Sequence, residues 1–504
     1  MEKVTRREFL GTGIAATAGS VAARGSSSPP SARAVDRPPN VLLIMSDQHT
    51  PKALGVAGNL VAHTPNLDAL ARSSVRFDDA YCTFPVCVSS RASLFSGLYT
   101  HHHLAYNNAQ PWPFRFKTLA HHLGRAGYMT GTIGKMHFVD AQTHGFDYKL
   151  DFNDWHQYLG PKSKQVAEEI GDPNSGSGLP QIDDLWRDAG DPWTGYIERD
   201  NREGYASVGR LSALAEEDHF ESFITRESIR FLRNHGKEQP FFLVSSYLKP
   251  HDPFTPVERF ARMFRAPDMK LPDTWGKVDL AAVPQAIKNR IQYDWAYPEL
   301  RFPEVAKLHI ALYYANVAQM DDNVGKLLRT LTELGLDENT IVIYTADHGE
   351  MLGEHGLWGK FVFYESSARV PLFFRVPGVT TANARCANPV SLVQMVPTLL
   401  DLCGVPIPAG LDGTSFTRSL REPAAEIDST VFSELALKSP HPGSMIRQGR
   451  YKYCYYVGDM DELYDLRDDP EEMKNLAPLP AYRQKRDELK KQLFDWHHPE
   501  KEVA

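Results

Sequence analysis

Cysteine is scarce in this chain of 504 residues: there are five. An odd number spread so thinly does not make a disulfide framework, and it leaves a chemical role open for one of them. An excess of positive charge is missing too. Lys and Arg number 55 against 63 Asp and Glu, a net charge of -8, with no basic block to hold a phosphate backbone, so no nucleic-acid partner is expected. Long hydrophobic runs are also absent. No stretch approaches the roughly 20 apolar residues of a membrane helix, and no membrane span is expected. Internal repeats are lacking, as are low-complexity tracts beyond the first residues. What is present is globular: 42% apolar, 11% aromatic and 23% charged residues. That composition supplies a large core for two to four domains, or for one large α/β domain with an appendage.

The start of the chain has its own pattern. Arg6-Arg7-Glu8-Phe9-Leu10 precedes a weakly apolar, Gly- and Ala-rich run from Gly11 to Ala23, and Ser26 to Pro39 is rich in Ser, Pro and Ala. Paired Arg followed by small residues with Ala-x-Ala candidates is the pattern of a twin-arginine signal. We therefore expect residues 1–35 to be signal and linker, the twin-arginine translocase to be a partner, and the mature protein to be periplasmic or secreted.

From Asn40 the texture is that of buried parallel strands. Asn40 to Asp47, Pro240 to Ser246, Thr340 to Asp347 and Val370 to Val376 are continuous apolar runs. Helical stretches lie between them, the clearest from His309 to Leu334, where Ile310, Tyr313, Tyr314, Val317, Met320 and Val324 recur at three- and four-residue steps. Alternation of this kind predicts an α/β fold with a mostly parallel central sheet flanked by helices over residues 36–424. In such sheets the site lies beyond the carboxyl ends of the strands, where Asp47 and Asp347 stand. Residues 151–209, rich in Asp, Gly, Pro and Trp, have no period and are expected to be an insertion bordering the site. From about Ala425 short strands and a final charged helix, Ala481 to Trp496, predict a small α+β C-terminal subdomain over 425–504.

One cysteine has unusual neighbours. Cys87-Val88-Ser89-Ser90-Arg91 runs into a stretch that should be helical, so Cys87 meets unpaired amides, a positive dipole end and the Arg91 charge. Around it in sequence order come Ala62-His63-Thr64-Pro65-Asn66-Leu67-Asp68, Gly134-Lys135-Met136-His137, His144-Gly145-Phe146-Asp147, Pro250-His251-Asp252-Pro253, Asp347-His348-Gly349-Glu350, Gly353-Glu354-His355-Gly356 and Glu462-Leu463-Tyr464-Asp465-Leu466. Taken together, the chain resembles a type I, formylglycine-dependent sulfatase of the alkaline phosphatase superfamily. Cys87 to Arg91 is similar to the Cys-x-Pro-Ser-Arg signature of that family, with Ser89 where Pro or Ala is usual. Gln48 and His348, with Tyr106-Asn107-Asn108-Ala109 and Gly134 to Phe138, place the resemblance nearest the choline sulfatase and phosphonate monoester hydrolase branch.

The resemblance implies an alkaline phosphatase-like sheet and hydrolysis of a sulfate ester. Cys87 is then oxidised to formylglycine by the formylglycine-generating machinery and, with Asp47, Asp347 and His348, holds a divalent cation. The ion implied is Ca²⁺, with Mn²⁺ the alternative because His348 replaces the more usual Asn. Arg91 belongs to the catalytic set. Lys135 is implied to hold a sulfate oxygen, His137 to help expel sulfate, and His251 with Lys360 to protonate the leaving alcohol. Gln48 and Asn108 are assigned to substrate contacts. For an exported enzyme an extracellular sulfated carbohydrate is the expected substrate, and His101-His102-His103 with Trp112 either line a sugar site or form a solvated loop. A phosphonate or phosphate ester hydrolase, a choline sulfatase and a noncatalytic sulfated-glycan-binding protein are the alternatives; the last needs no oxidisable nucleophile.

Replacing both Arg6 and Arg7 by Lys is expected to block export, because a signal read through paired guanidinium groups does not accept two ammonium groups. Undiminished periplasmic yield in a cell fractionation would point to another route.

Overall fold

The structure, a computed structural model, describes residues 37–108, 112–113, 115–138, 142–165, 209, 211–212, 214–235, 239–294 and 298–503. The signal and most of the expected insertion, residues 1–36 and 166–208, lie outside them.

Nine strands form the main sheet: β1 (Asn40–Asp47), β2 (Val75–Tyr81), β3 (Met129–Gly134), β4 (Tyr148–Leu150), β5 (Phe241–Pro250), β6 (Thr340–Ala346), β7 (Arg369–Arg375), β8 (Ala384–Cys386) and β9 (Val390–Ser391). Their order is β4-β3-β5-β1-β6-β7-β2-β8, with β9 also pairing β2. Every pairing is parallel except the two made by β7, which is antiparallel to both β6 and β2. The sheet is thus mostly parallel, with one reversed strand inside it.

β1 lies at the centre because it can be buried on both faces. Val41, Leu43 and Met45 enter one core cluster, with Leu94, Phe95 and Leu399 of the helices α2 (Cys87–Ser96) and α6 (Met395–Leu402). Leu42 and Ile44 enter another, on the opposite face. That second cluster includes α1 (Pro65–Arg72), α4 (Phe220–His235) and α5 (Pro303–Glu333). Helix α3 (Leu119–Arg125) completes the first face. Two-residue alternation therefore divides one apolar run between two helical layers.

A second sheet follows, antiparallel and four-stranded: β10 (Thr430–Leu435), β11 (Gly443–Gln448), β12 (Tyr451–Tyr456) and β13 (Glu462–Asp465). Ile446, Tyr453 and Leu463 of this sheet pack on Leu489 and Leu493 of α7 (Arg483–Trp496). Its other face joins Tyr81 and Phe84 near α2, through Val431, Met445 and Cys454.

Truncating Ile44, which is fully buried at the centre of the sheet, should be costly. Ile44→Ala is expected to lower stability by about 2 to 5 kcal/mol and Ile44→Val by about 0.5 to 1.5 kcal/mol in urea unfolding. A loss below about 1 kcal/mol for the alanine variant would contradict the two-sided packing.

Candidate active site

Four parallel strands, β1, β3, β5 and β6, end at one place, and each is followed by a polar group. The register of β1 on β6 sets Ser46 opposite Ala346, so the next residues, Asp47 and Asp347, stand side by side. Arg91, one turn into α2, lies between them, fully buried: Nη2 donates to Asp47 Oδ2 at 2.9 Å and Nε to Asp347 Oδ2 at 2.7 Å. Asp347 Oδ1 accepts from the backbone amides of Gln48 (3.1 Å) and His348 (3.0 Å). These bonds hold both carboxylates in place.

Every residue of α2 is buried. Its N-cap, Val86, offers no side-chain acceptor. Asn108 supplies one from a distant loop, with Oδ1 accepting from Val88 N at 3.1 Å, while its Nδ2 lies 4.0 Å from Cys87 Sγ. Ser90 Oγ donates to the Asp347 carbonyl. Ser89 Oγ is buried with no partner among the described residues, in keeping with a slot where the family usually has an apolar side chain.

Cys87 Sγ is the meeting point. It lies 3.2 Å from His348 Nε2 and 3.7 Å from Asp47 Oδ1, and it accepts from Lys360 Nζ at 3.4 Å and Lys135 Nζ at 3.9 Å. Burial and the Asp47 charge push the thiol up, but the Lys135 and Lys360 ammonium groups outweigh them and hold it below its ordinary value. Burial works in the same upward sense on Asp47. There the charges of Lys135, His251, Arg91 and Lys360 prevail and keep the carboxyl well below the usual range.

Ligand atoms of Asp47, Cys87, Asp347 and His348 all lie within 4.8 Å of one another. His348 Nε2 is 3.8 Å from Asp47 Oδ1 and 3.7 Å from Asp347 Oδ1. Ligands roughly 2.4 Å from a shared ion and at right angles stand about 3.4 Å apart, close to these spacings. The histidine is prepared for such a role. Burial pulls its basicity down, so the ring is neutral, and Nδ1 faces the Gly349 carbonyl at 2.9 Å. With the proton on Nδ1, the Nε2 lone pair is left for the cluster. The donor set fits a divalent cation.

Lys135 lies just beyond the end of a strand. β3 stops at Gly134, whose φ of 110° turns the chain, and a Cβ there would lie 2.0 Å from the Ser246 carbonyl oxygen. The turn brings Lys135 Nζ to within 2.8 Å of Asp47 Oδ2. His137 follows with φ 59°, its Nδ1 buried without a partner among the described residues. Burial and then the Lys135 and Arg91 charges hold its imidazole well below the ordinary value, so it sits near the cluster as a neutral ring.

His251 and Lys360 form a pair. Lys360 Nζ donates to His251 Nε2 at 2.7 Å and to Gln48 Oε1 at 2.6 Å, and His251 Nδ1 faces the Asp252 carbonyl. Gln48, at φ 59°, gives its amide N–H groups to Glu350 and Asp252. Glu350 has no assigned role in the sequence reading, although it belongs to the quoted Asp-His-Gly-Glu segment. Buried and raised in pKa by that burial, it accepts from Leu352 N, Gly359 N and Gln48, so it fixes the turn that carries Lys360. Ser246 is a second such residue, accepting from Arg91 Nη1 at 2.9 Å and donating to the Lys135 carbonyl. Polar Ser245-Ser246 in the middle of an otherwise apolar strand was the available signal.

The His triplet lies in a short helical turn, Thr100–His103, where His102 is exposed and the other two rings are tied to neighbouring elements. His103 is buried against Ser93 Oγ (3.0 Å), and His101 pairs with Glu434 (2.6 Å) and stacks on His497. His102 bonds Asp412, and Trp112 lies in the core at 1% exposure. These residues join α2 to the C-terminal layer. All five cysteines are free and buried.

The sulfatase family profile matches residues 39–405, and a profile for the N-sulphoglucosamine sulphohydrolase C-terminal region matches residues 353–498. The choline-sulfatase of Rhizobium meliloti is 32% identical over 456 residues, 88% of this chain and 83% of that protein. The arylsulfatase of Clostridium perfringens is 29% identical over 473 residues, 90% of this chain and 94% of its own length. Among solved structures, the phosphonate monoester hydrolase of Agrobacterium radiobacter aligns with a TM-score of 0.72 at 26% identity, over 91% of this chain and 95% of that one. Likeness over nearly the whole length accompanies a helix start that faces two carboxylates and three cations suited to a tetrahedral anion. The chain belongs to the sulfatase family of the alkaline phosphatase superfamily and is a sulfuric ester hydrolase.

Proposed function

We propose that the protein hydrolyses a sulfate ester of an extracellular carbohydrate to the alcohol and inorganic sulfate, with a formylglycine made from Cys87 and a divalent cation. One observation carries this reading: Cys87 Sγ is clustered with the ligand atoms of Asp47, Asp347 and His348 and lies within reach of two lysine ammonium groups. Asp47, Asp347, His348 and residue 87 would hold the cation, Ca²⁺ by the oxygen ligands and Mn²⁺ as the alternative that the His348 nitrogen favours. Once present, the oxidised residue supplies an oxygen nucleophile and the cation neutralises sulfate oxygens. The chain's own groups do the rest. Lys135 and Lys360 bind the anion, Arg91 keeps the two carboxylates in register, and His137 is a neutral base beside them. His251 and Lys360 share a proton along a 2.7 Å contact and can pass it to the departing alcohol oxygen.

Support for a carbohydrate comes from the C-terminal match to N-sulphoglucosamine sulphohydrolase. The export signal and the formylglycine-generating machinery complete the reading: a periplasmic or secreted enzyme, matured on Cys87. A phosphonate ester hydrolase is the second reading, favoured by the likeness to the Agrobacterium enzyme and by Gln48 and His348. Choline sulfate is the third, favoured by the Rhizobium relative.

Turnover of sulfated sugars, choline sulfate and phosphonate monoesters by the mature protein tests the substrate, and preference for either of the last two would overturn the carbohydrate assignment. Mass spectrometry of the peptide containing residue 87 is expected to show the thiol replaced by an aldehyde. Cys87→Ala should abolish activity, whereas single Ser replacements of Cys82, Cys386, Cys403 and Cys454 should keep it; full activity of the Cys87 variant would sink the nucleophile.

His251→Ala is expected to slow alkyl sulfates by about 10² to 10⁴ while slowing nitrophenyl sulfate far less, because a nitrophenolate departs without a proton. The double variant with Lys360→Ala should lose less than the product of the two single losses. Equal losses on both classes of ester would leave His251 as a binding group only.

A further inference from the structure

A second group of metal-binding side chains sits at the joint between the turn that follows α2 and the C-terminal layer. One ligand atom each from His101, Glu434 and His497 lie within 4.8 Å of one another. Three stretches of chain supply them: the turn Thr100–His103, strand β10, and the residue after α7. None belongs to the catalytic groups around Cys87.

Each donor is held in place. The Glu434 side chain is fully buried, and its Oε2 accepts from Thr100 N at 2.8 Å and His101 N at 3.3 Å, which leaves Oε1 facing His101 Nδ1 at 2.6 Å. His497 follows Trp496, whose ring stacks on Phe432 at 4.4 Å and meets Tyr99 edge-on at 4.8 Å. The His101 and His497 rings lie 3.9 Å apart and nearly parallel.

The joint is short of positive charge. A buried carboxylate needs a charged partner, yet among the described residues the only ion-pair partner of Glu434 is an imidazole. Burial, and then the His101 charge, pull the His497 ring down to about 4, so it stands as a neutral donor. His497 Nε2 is buried with no hydrogen-bond partner among the described residues. Glu502 Oε1 lies 3.5 Å from that nitrogen, while its other oxygen is taken by Lys438. Two nitrogens and a carboxylate suit a zinc-like dication better than Ca²⁺ or Mg²⁺, which prefer oxygen shells. Side-chain exposures of 6% for His101 and 11% for His497 leave an approach for the ion and a place for water as a fourth ligand. A tetrahedral ion about 2.0 Å from each donor sets the donors roughly 3.3 Å apart. It would take the place of the proton between His101 and Glu434, open their contact by about 0.7 Å and turn the stacked rings toward itself.

We propose that His101, Glu434 and His497 form a second metal site, which takes a transition-metal dication of the zinc class and pins the end of α7 to β10 and to the turn after α2. The site is structural, and it does not depend on which ester the protein cleaves.

The test is zinc uptake by the mature protein, stripped with a chelator and reloaded in excess Ca²⁺, read by metal analysis after gel filtration and by Tm. The unaltered protein is expected to bind one Zn²⁺ that Ca²⁺ and Mg²⁺ do not displace, and Zn²⁺ at about a hundredfold its Kd should raise Tm by about 2 to 4 °C. His497→Ala should lose that ion and the shift while keeping its Ca²⁺ and its ester hydrolysis, and His497→Asp, which restores a donor, should regain part of the uptake. Cys87→Ala, which removes a donor from the catalytic cluster, should keep both the ion and the shift. Zinc X-ray absorption of the unaltered protein should show two imidazoles with oxygen, a reading that needs no variant to fold. Absence of uptake, uptake undiminished in His497→Ala, uptake lost in Cys87→Ala, or a single imidazole around the zinc would overturn the proposal, the last two by placing the ion at His348.

Discussion

Two carboxylates at the ends of adjacent strands repel one another, and in a dry interior that repulsion would empty the site or protonate it. The Arg91 guanidinium prevents both. Its planar fork reaches Asp47 with one nitrogen and Asp347 with another while a third meets Ser246, a division of labour that a lysine could not reproduce. Because Arg91 sits one turn after Cys87 in α2, the same contact seats the helix start and therefore Cys87. The strand register, the helix position and the placement of the nucleophile thus rest on one buried cation, held by an isolated charge's high cost of going unpaired.

Much of this was legible in the sequence, for a physical reason. A parallel strand covered on both faces must be apolar throughout, so β1, β5 and β6 stand out, and a carboxylate that ends such a run must lie beyond the carboxyl ends of the strands, where ligands bind. β2 was hidden because Arg76, Asp78 and Asp79 interrupt it. The reversal of β7 was hidden because direction leaves no trace in composition. Glu350 escaped for a different cause: it acts on the amides of Leu352 and Gly359, and what a carboxylate will accept from backbone is decided by the turn and not by its neighbours in sequence. The partners of the His triplet were hidden because three titratable rings in a row suggest solvent or ligand, whereas each has a partner 10 to several hundred residues away.

The C-terminal layer is not an ornament to the catalytic sheet. Lys452 of β12, fully buried, donates to the Phe363 carbonyl at 2.7 Å and to Glu365 at 2.9 Å, and pairs with Glu472. Glu472 in turn accepts from Glu365 N at 2.7 Å. These bonds grip residues 363–365, just after Lys360, while Glu350 binds Gly359 just before it. The turn bearing Lys360 is held from two directions, which lets its ammonium meet His251, Gln48 and Cys87 at once without relying on its own flexible stem.

The groups that surround Cys87 and the connection between β10 and β11 come from separate stretches of chain. Asp47, Arg91, Lys135, His251, Asp347 and Lys360 belong to the first sheet and its loops, whereas residues 436–442 form a hairpin connection in the second. Hairpin connections tolerate changes in length far better than strand ends do. Changes of length in that connection can therefore be accommodated while the strand ends that carry the bond-breaking groups stay fixed, and a protein engineer has the same freedom by grafting a single hairpin.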